Sequence, residues 1–265
     1  MGVTTFSSKD FQYANNVKMG IYVTPDVLLN VSGPSSIEES FINPDLYLSF
    51  PLAQAKFHLD NLSMLPNPPH YVYISSASVY GDCRSSVPTE NSPLNPISPY
   101  SFGKAEVEKF LLSKNLNYPG GVTVIRATSV FAENLSSRVL GRIRNQVASG
   151  ENLELYGDGD EMRDFIHAEY FFDALHEIVK NNITTGNSGV YNLGSGFSLS
   201  ISTIVDLALS SITDSKTRSI TFNGVKRLGD PHSMIVSINK LNNLLPWQIP
   251  RQEPRLNEYF SYKKN

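Results

Sequence analysis

Short runs of consecutive apolar residues alternate along this chain with longer segments in which apolar residues recur every three or four positions. The short runs, each long enough for one strand, cover residues 26–31, 71–74, 122–125 and 190–193. The longer segments, which have the length and period of helices, cover residues 46–62, 101–112, 137–148, 168–180 and 200–211. Apolar strands separated by helices are typical of a parallel sheet that is covered on both faces. The pattern therefore predicts an α/β fold.

The second half of the chain differs in pattern from the first. Beyond residue 134, helical segments are separated by glycine-containing turns at residues 157–159 and 194–196. No repeat and no long polar linker separates the halves. We expect a sheet domain over residues 1–134 and, over residues 135–265, mainly a smaller lobe that is intertwined with the first.

Composition excludes several classes of partner. The 265 residues include 22 Lys and Arg against 25 Asp and Glu, and a charge of −3 offers no basic surface for nucleic acid or an anionic membrane. No apolar window reaches the ~18 residues of a membrane span, and Cys83 has no second cysteine to pair with. The histidines do not stand at metal-ligand spacings. We expect a cytoplasmic protein that binds a small molecule and no metal.

Tyr100 and Lys104 stand four residues apart in a predicted helix, which places the phenol and the ammonium on one face. A phenol with a pKa near ~10 is a poor base at neutral pH, but a neighbouring cation favours the phenolate and lowers that pKa. The pair can therefore give and take a proton. The same spacing is also common on solvated helix faces, so a plain structural explanation remains open.

Hydroxyl groups follow the predicted strand at residues 71–74. Ser75, Ser76 and Ser78 stand there, in the chain before Tyr100. Active sites of open α/β sheets lie at the carboxyl ends of strands, where a serine can bind the same substrate oxygen that the phenol protonates. The alternative is that these serines only cap the turn.

The order and spacing of residues 75–81, 88–99 and 100–104 resemble the catalytic segment of the extended short-chain dehydrogenase/reductases, the NAD-dependent epimerase/dehydratase family. The resemblance extends over most of the chain. It implies a Rossmann-like parallel sheet, here truncated at its N-terminus, with a small C-terminal substrate-binding lobe.

The resemblance also implies roles for single residues. Ser76 would be the catalytic hydroxyl, Tyr100 the acid and base, and Lys104 the cation that lowers the pKa of the phenol. Tyr100 and Lys104 would contact NAD or NADP, and Ser32, in the turn after the first apolar run, would lie beside the same cofactor.

The second half resembles the substrate lobe of the family. Within residues 156–167, Arg163 corresponds to an arginine that reaches the diphosphate of a nucleotide sugar. A guanidinium suits that role because it gives paired, charge-assisted hydrogen bonds to phosphate oxygens. Arg227 and Asp230 resemble an Arg-x-Gly-Asp segment, which implies a contact to phosphate or ribose and an acceptor for a hydroxyl group.

Two serines complete the predicted substrate site. Ser78 follows the catalytic hydroxyl, and Ser129 stands where the family often has asparagine. The plain alternative for Arg163 is a surface ion pair with Asp160 or Glu161.

The resemblance is incomplete near the N-terminus. Family chains open with a strand, a glycine-rich turn and a helix whose N-terminus holds the cofactor pyrophosphate. Residues 3–10 here resemble the third strand of the family and residues 25–30 the fourth. Gly194 and Gly196 lack the third glycine of a dinucleotide fingerprint, so we interpret them as a turn. The residue that would choose between NAD and NADP has no counterpart.

Three explanations fit this difference: a gene fragment or a start codon assigned too late, a two-chain enzyme, or a reduced homologue without redox chemistry. An uncovered sheet edge favours association. We therefore expect a homodimer or a partner that covers the truncated sheet.

Residues 77 and 78 argue against a dehydratase. Family dehydratases place an adjacent Asp-Glu pair there, whereas this chain has Ala77 and Ser78. The remaining site allows reversible oxidation at a sugar carbon with hydride transfer to or from nicotinamide. We predict a 4-epimerase or a 4-ketosugar reductase that acts on an NDP-hexose. The alternative is a catalytically inactive or partner-dependent sugar-nucleotide-binding homologue that has lost its NAD site.

Overall fold

The structure is a computed structural model that describes residues 25–133, 138–211 and 219–261. Its helices and strands, in chain order, are β1 (Val27–Asn30), α1 (Ile37–Ile42), α2 (Pro44–Leu62), β2 (His70–Ser76), α3 (Pro99–Lys114), β3 (Val122–Ala127), β4 (Ser129–Phe131), α4 (Arg138–Ser149), β5 (Leu153–Leu155), β6 (Met162–His167), α5 (Ala168–Thr185), β7 (Gly189–Leu193), β8 (Ser198–Ser200), α6 (Ile201–Ser210), β9 (Ile220–Phe222), β10 (Ser233–Met234), α7 (Asn239–Asn242) and α8 (Glu253–Ser261). The segment at residues 3–10, which resembles a family strand, lies outside the described residues.

The four predicted strands form one sheet. β1, β2, β3 and β7 pair in that order, and every pairing is parallel. The register aligns Asn30 with Tyr73 and Tyr73 with Val124, so the three strands run side by side toward the same edge. The predicted α/β class is confirmed, with a parallel sheet of the Rossmann-like kind.

Both faces of the central strands β2 and β3 are buried, and successive side chains of each strand point to opposite sides. On one face, Tyr71 and Tyr73 pack in a cluster with residues of α2 and α3, including Leu59 and Val107. On the other face, Val72 belongs to a cluster that includes residues of α5. Each fully buried large apolar side chain contributes about 1.5–3 kcal/mol relative to an exposed one. Packing on both sides therefore holds the sheet in place.

The second half of the chain contributes to two separate cores. β7 is the edge strand of the main sheet, and α5 packs in the core on one face of that sheet. A further cluster contains Phe131, Leu140, Phe165 and Ile204, from β4, α4, β6 and α6. β6 is the centre of a small sheet, in which it pairs with β4, β8 and β10. The predicted division at residue 134 stays a prediction.

The helix with the predicted acid/base residue starts slightly before its expected position. Residues 101–112 were expected to be helical from about Tyr100, whereas α3 begins at Pro99. Ser98 caps it: its hydroxyl accepts from the Ser101 amide at 3.2 Å, and the Ser101 hydroxyl accepts from the Ser98 amide at 3.1 Å. Such reciprocal capping satisfies amides that have no partner within the helix. Proline suits the first helical position since its missing N–H costs nothing there.

The helix expected at residues 200–211, after the turn at residues 194–196, is present as α6 (Ile201–Ser210). A three-residue strand, β8, comes first and pairs antiparallel with β6. Ser200 then caps α6, accepting from the Thr203 amide at 3.1 Å. In the described part of the chain no helix is long and apolar enough to span a bilayer.

α2 and α3 touch backbone to backbone at Gly103. A β-carbon placed on Gly103 would lie 1.9 Å from the carbonyl oxygen of Tyr47. Only glycine therefore allows the two helices to pack this closely. Because Gly103 precedes Lys104, this contact also positions the residues of the candidate site.

Gly103→Ala is expected to destabilise the protein. In an unconstrained helix the change would stabilise by ~1 kcal/mol, but here α2 and α3 must separate, and we expect a net loss of about 1–3 kcal/mol. Urea unfolding followed by circular dichroism measures the free energy. Gly189→Ala is the matched control, since its nearest neighbour would be 3.5 Å away and its effect should stay within ~0.5 kcal/mol. Equal effects of both changes would contradict the close packing.

Candidate active site

Ser76 is the last residue of β2, at the carboxyl edge of the main sheet. Its hydroxyl oxygen accepts hydrogen bonds from the Ser78 amide at 3.2 Å and from the Ser78 hydroxyl at 2.9 Å. Ser76 therefore caps the 3-10 turn Ala77–Tyr80, as the plain alternative proposed. It also remains partly exposed at the edge where α/β sheets bind ligands. Capping and catalysis are compatible, because the hydroxyl of Ser76 keeps its own proton to donate.

Tyr100 and Lys104 lie on successive turns of α3, and the structure brings Lys104 to the end of β2. The Lys104 Nζ atom donates to the carbonyl oxygen of Ile74 at 2.8 Å. Ile74 is two residues before Ser76, so the ammonium lies near the carboxyl end of the strand that ends in Ser76. The Tyr100 ring packs edge-on against Tyr47, with 6.3 Å between the ring centroids.

The ammonium of Lys104 is only partly stabilised by its surroundings. Burial lowers its pKa to about 8, and the charge of Glu108, one turn further along α3, acts in the opposite direction. Lys104 is therefore still charged at neutral pH but close to titration. A cation of this kind is what the predicted role beside Tyr100 requires.

A buried ion pair that the sequence pattern does not predict lies one helical turn after Lys104. Glu108 and Arg126 have side chains that are 1% and 5% exposed. One carboxylate oxygen accepts from Nε and Nη2 of Arg126 at 3.0 and 2.8 Å, and the other accepts from the Ser75 hydroxyl. Burial alone would lower the pKa of Arg126, but the hydrogen bond and the charge of Glu108 raise it overall. No local spacing indicates this pair, because Glu108 and Arg126 lie 18 residues apart on different elements.

The same ion pair extends across the sheet. The Arg126 Nη1 atom donates to the Tyr80 hydroxyl at 2.6 Å, and that hydroxyl donates to Asn192 of β7 at 2.7 Å. The backbone amide of Asn192 donates to the Glu90 carboxylate at 3.0 Å. The polar network therefore connects α3 with β3, β7 and the loop before α3.

Arg163 and Asp230, which the sequence predicted separately, are partners. The Nη2 atom of Arg163 lies 2.8 Å from the Asp230 carboxylate, and Nη1 donates to the His232 carbonyl at 3.1 Å. The alternative surface pair of Arg163 with Asp160 or Glu161 is wrong. Arg163 is buried.

Arg227 lies in the same segment as Asp230 but has other contacts. It pairs with Glu38 of α1, and its guanidinium lies 5.3 Å from the centroid of the Tyr156 ring. Between Arg227 and Asp230, Gly229 has φ +70°, and a β-carbon there would lie 2.9 Å from the Ser98 side chain. The segment therefore lies against the start of α3, close to Tyr100.

Ser32 and Ser129 lie at the same edge of the sheet as Ser76. Ser32 follows β1, where its amide donates to the Asn30 side chain at 3.0 Å and its hydroxyl binds Asn30 and Gln54. Ser129 opens β4, two residues after β3, and is partly exposed. The predicted ligand contacts of both serines, like that of the buried Ser78, stay predictions.

The turn at residues 194–196 is occupied by a carboxylate of the protein itself. Asp164 accepts from the Ser195 amide at 2.8 Å, from the Ser195 hydroxyl at 2.7 Å and from the Gly196 amide at 3.0 Å. Burial raises the pKa of Asp164 to about 6. Because these donors are used, the turn cannot cradle a phosphate, which agrees with our interpretation of the two glycines.

The residues present fit one end of a dinucleotide. Lys104 has three N–H donors, and the Ile74 carbonyl takes one of them. Two donors are left for the hydroxyls of a ribose. Within residues 25–133, 138–211 and 219–261, no three His, Cys, Asp or Glu side chains form a group that could hold a metal ion.

A cavity of about 240 Å³ opens at the other edge of the sheet. Its lining residues include His70 and Gly121, at the amino ends of β2 and β3, and Asn182 of α5. Ligands of open α/β sheets bind at the carboxyl ends of strands. The position of the polar residues, rather than this cavity, therefore locates the candidate site.

The fold and the site together define a Rossmann-like protein with Ser, Tyr and Lys at the carboxyl edge of its sheet. Residues 10–194 match the NAD dependent epimerase/dehydratase family. The chain belongs to that family, as the residues around Tyr100 predicted.

Relatives of known name support this assignment. The chain is 27% identical over 207 residues to UDP-glucose 4-epimerase of Lactobacillus helveticus, covering 71% of this chain and 61% of that protein. It is 26% identical over 186 residues to dTDP-glucose 4,6-dehydratase of Streptomyces griseus, covering 69% of this chain and 55% of that protein. The chain thus spans little more than half the length of the curated relatives it matches.

A solved structure supports the fold. MoeE5 in complex with UDP-glucose and NAD superposes with a TM-score of 0.78 and 21% identity, over 88% of this chain and 78% of that chain. At this identity the likeness shows the fold alone.

Glu108→Gln is expected to destabilise the protein by about 3–5 kcal/mol, because it leaves the Arg126 charge buried without a carboxylate. Chemical denaturation measures the loss. Glu258→Gln is the matched control, since Glu258 pairs with Arg255 at an exposed position, and such pairs contribute about 0–1 kcal/mol. A loss below that of the control would contradict the structural role of the pair.

Proposed function

We propose that this chain is a nucleotide-sugar oxidoreductase-type enzyme, a 4-epimerase or a 4-ketosugar reductase that acts on an NDP-hexose. The single observation that carries the proposal is the bond of the Lys104 ammonium to the Ile74 carbonyl at 2.8 Å. It places a cation at the end of β2, between the strand that ends in Ser76 and the helix that begins beside Tyr100. Membership of the family supports the same chemistry.

In the proposed mechanism, Tyr100 handles the proton of the reacting sugar hydroxyl. The positive charge of Lys104 favours the phenolate, which accepts this proton when the sugar carbon is oxidised and returns it when the carbon is reduced. The Ser76 hydroxyl donates to the same sugar oxygen and holds it in place. Bound NAD or NADP would accept or give the hydride at that carbon. In an epimerase both half-reactions occur on one sugar, whereas a reductase performs only the second.

The positions after Ser76 support this choice over a 4,6-dehydratase. Ala77 and Ser78 are buried in the 3-10 turn, and the Ser78 hydroxyl donates to Ser76. Neither side chain can act as the separate acid and base that elimination of water requires. Oxidation and reduction at one carbon need no protein side chains beyond Ser76, Tyr100 and Lys104 when the nicotinamide cofactor is bound.

The diphosphate of the substrate would bind near Arg163 and Arg227. Arg163 is held by Asp230 and by backbone carbonyls, which orient its guanidinium before a ligand arrives. Arg227 pairs with Glu38 at a more exposed position. We propose that Asp230 accepts a bond from a hydroxyl of the nucleotide while it orients Arg163.

Tyr100→Phe tests the mechanism. Removing the phenolic oxygen should lower kcat by at least about 100-fold, the lower bound for general acid–base catalysis. Two assays measure it: interconversion of UDP-glucose and UDP-galactose with NAD, and NADPH-dependent reduction of an NDP-4-ketohexose. Tyr118→Phe is the control, because its hydroxyl binds the Pro69 carbonyl at the opposite edge of the sheet. Full activity of Tyr100→Phe would contradict the proposed role.

Arg163→Lys tests the diphosphate site. A lysine keeps the charge but loses the paired donors, so the Kd for UDP should rise about 10- to 100-fold, as expected for hydrogen bonds to charged groups. Isothermal calorimetry with UDP measures the change. Arg142→Lys, at an exposed position of α4, should bind UDP as the unchanged protein does. Unchanged affinity of Arg163→Lys would place the diphosphate elsewhere.

The alternative is a catalytically inactive or partner-dependent homologue that binds the sugar nucleotide. In the described part of the chain β1 pairs only with β2, and Leu29 on it is 40% exposed. A second copy of the chain or another polypeptide could cover this strand. Turnover that requires such association supports the partner-dependent form, and turnover by a monomer contradicts it.

A further inference from the structure

Tyr73 is a buried aromatic residue that the proposed mechanism does not use. It stands in the middle of β2 and is 1% exposed. Its ring lies under the Lys104 ammonium, 4.8 Å from Nζ to the ring centroid. Its hydroxyl has no hydrogen-bond partner among the described residues. A phenol that is buried at such a cost suggests that the ring has a use beyond filling the core.

The ring can attract the ammonium through its π-electrons. A cation within about 6 Å of an aromatic centroid is stabilised by the ring quadrupole, and more strongly when both groups are shielded from water. The Tyr73 hydroxyl cannot contribute a negative charge, because burial, followed by the charges of Tyr100 and Glu108, raises its pKa well above the usual value. The attraction therefore comes from the neutral ring.

Two other groups, the Ile74 carbonyl and the Glu108 carboxylate, stabilise the Lys104 ammonium besides the Tyr73 ring. The Ile74 carbonyl accepts one of the protons of the ammonium, and Glu108 supplies a negative charge from the next turn of α3. Glu108 is already engaged by Arg126 and Ser75. Burial disfavours the charged form of Lys104. The ring of Tyr73, on the same strand as Ile74, supplies a further stabilising contact to the ammonium.

We propose that Tyr73 is a positioning residue, whose ring face holds the Lys104 ammonium at the end of β2 and keeps it protonated for its action on Tyr100. The action on Tyr100 rests on the proposed function. The effect of the ring on Lys104 is independent of turnover and can be measured without it.

Tyr71 provides a matched comparison. It lies on the same face of β2, is fully buried and belongs to the same core cluster as Tyr73. Its hydroxyl binds Asn30 at 2.8 Å and His58 at 3.0 Å. Two tyrosines of one strand face therefore differ in their contact to Lys104, and a purely structural role predicts similar effects for both.

The experiment measures the pKa of Lys104 directly. Protein labelled with [13C]lysine is titrated, and the Cε–Hε signal of Lys104 is assigned by its loss in Lys104→Met. Tyr73→Phe, Tyr73→Leu and Tyr71→Leu are compared with the unchanged protein. Mono-, di- and trifluorinated phenylalanine at position 73 form a second series, which weakens the ring face in steps and preserves the packing if Tyr73→Leu does not fold.

We expect the pKa of Lys104 to fall by about 0.4–1.5 pH units in Tyr73→Leu, the range that cation–π attraction spans. It should fall stepwise along the fluorinated series, and stay in place in Tyr73→Phe and Tyr71→Leu. In turnover, the alkaline limb of the pH dependence of kcat should move with the pKa of Lys104, while KM for the sugar nucleotide stays constant. A pKa that is equal along the fluorinated series, or equal falls in both leucine variants, would overturn the proposal. Stepwise falls in a protein without turnover would uphold it and count against the proposed function alone.

Discussion

The ion pair of Glu108 and Arg126 joins the helix of the candidate site to the middle of the sheet. Taking two charges out of water costs several kcal/mol per ion, so such a pair persists only where every charge is fully bonded. Here Arg126 holds one carboxylate oxygen with two nitrogens, and Ser75 holds the other. This bonding sets the rotation of α3 against β2. Lys104, one turn before Glu108, is thereby directed at the Ile74 carbonyl.

Hydrogen bonds between the two halves of the chain join the segments that carry the residues predicted for catalysis and for the substrate. The Cys83 amide, in the loop after β2, donates to the Ser233 carbonyl at 2.8 Å, and the Ser233 amide donates to Asp82 at 3.1 Å. Ser233 opens β10, which pairs with β6 and aligns Met234 with Arg163. The strand that carries Arg163 is thus linked to the loop that follows Ser76.

Local sequence patterns predicted the main sheet and the Tyr100–Lys104 pair because both depend on neighbours in the chain. β8 and β10 were not predicted, since strands of two or three residues are too short to show a period. The contact of Arg163 with Asp230 joins residues far apart in sequence, and only the small sheet around β6 brings them together. Glu108 would ordinarily indicate a solvated helix face, and its burial depends on Arg126, which lies 18 residues later in β3.

The proposed function requires the edge of β2 to be a dinucleotide site and not only a well-packed strand end. Calorimetric titration of the chain with NADH, NADPH and, separately, UDP tests this most directly. We expect that UDP binds and that one dinucleotide binds at micromolar strength, ~8 kcal/mol, and that Lys104→Met loses binding of the dinucleotide alone. Binding of UDP without either dinucleotide would contradict it and leave a sugar-nucleotide-binding protein that performs no oxidation.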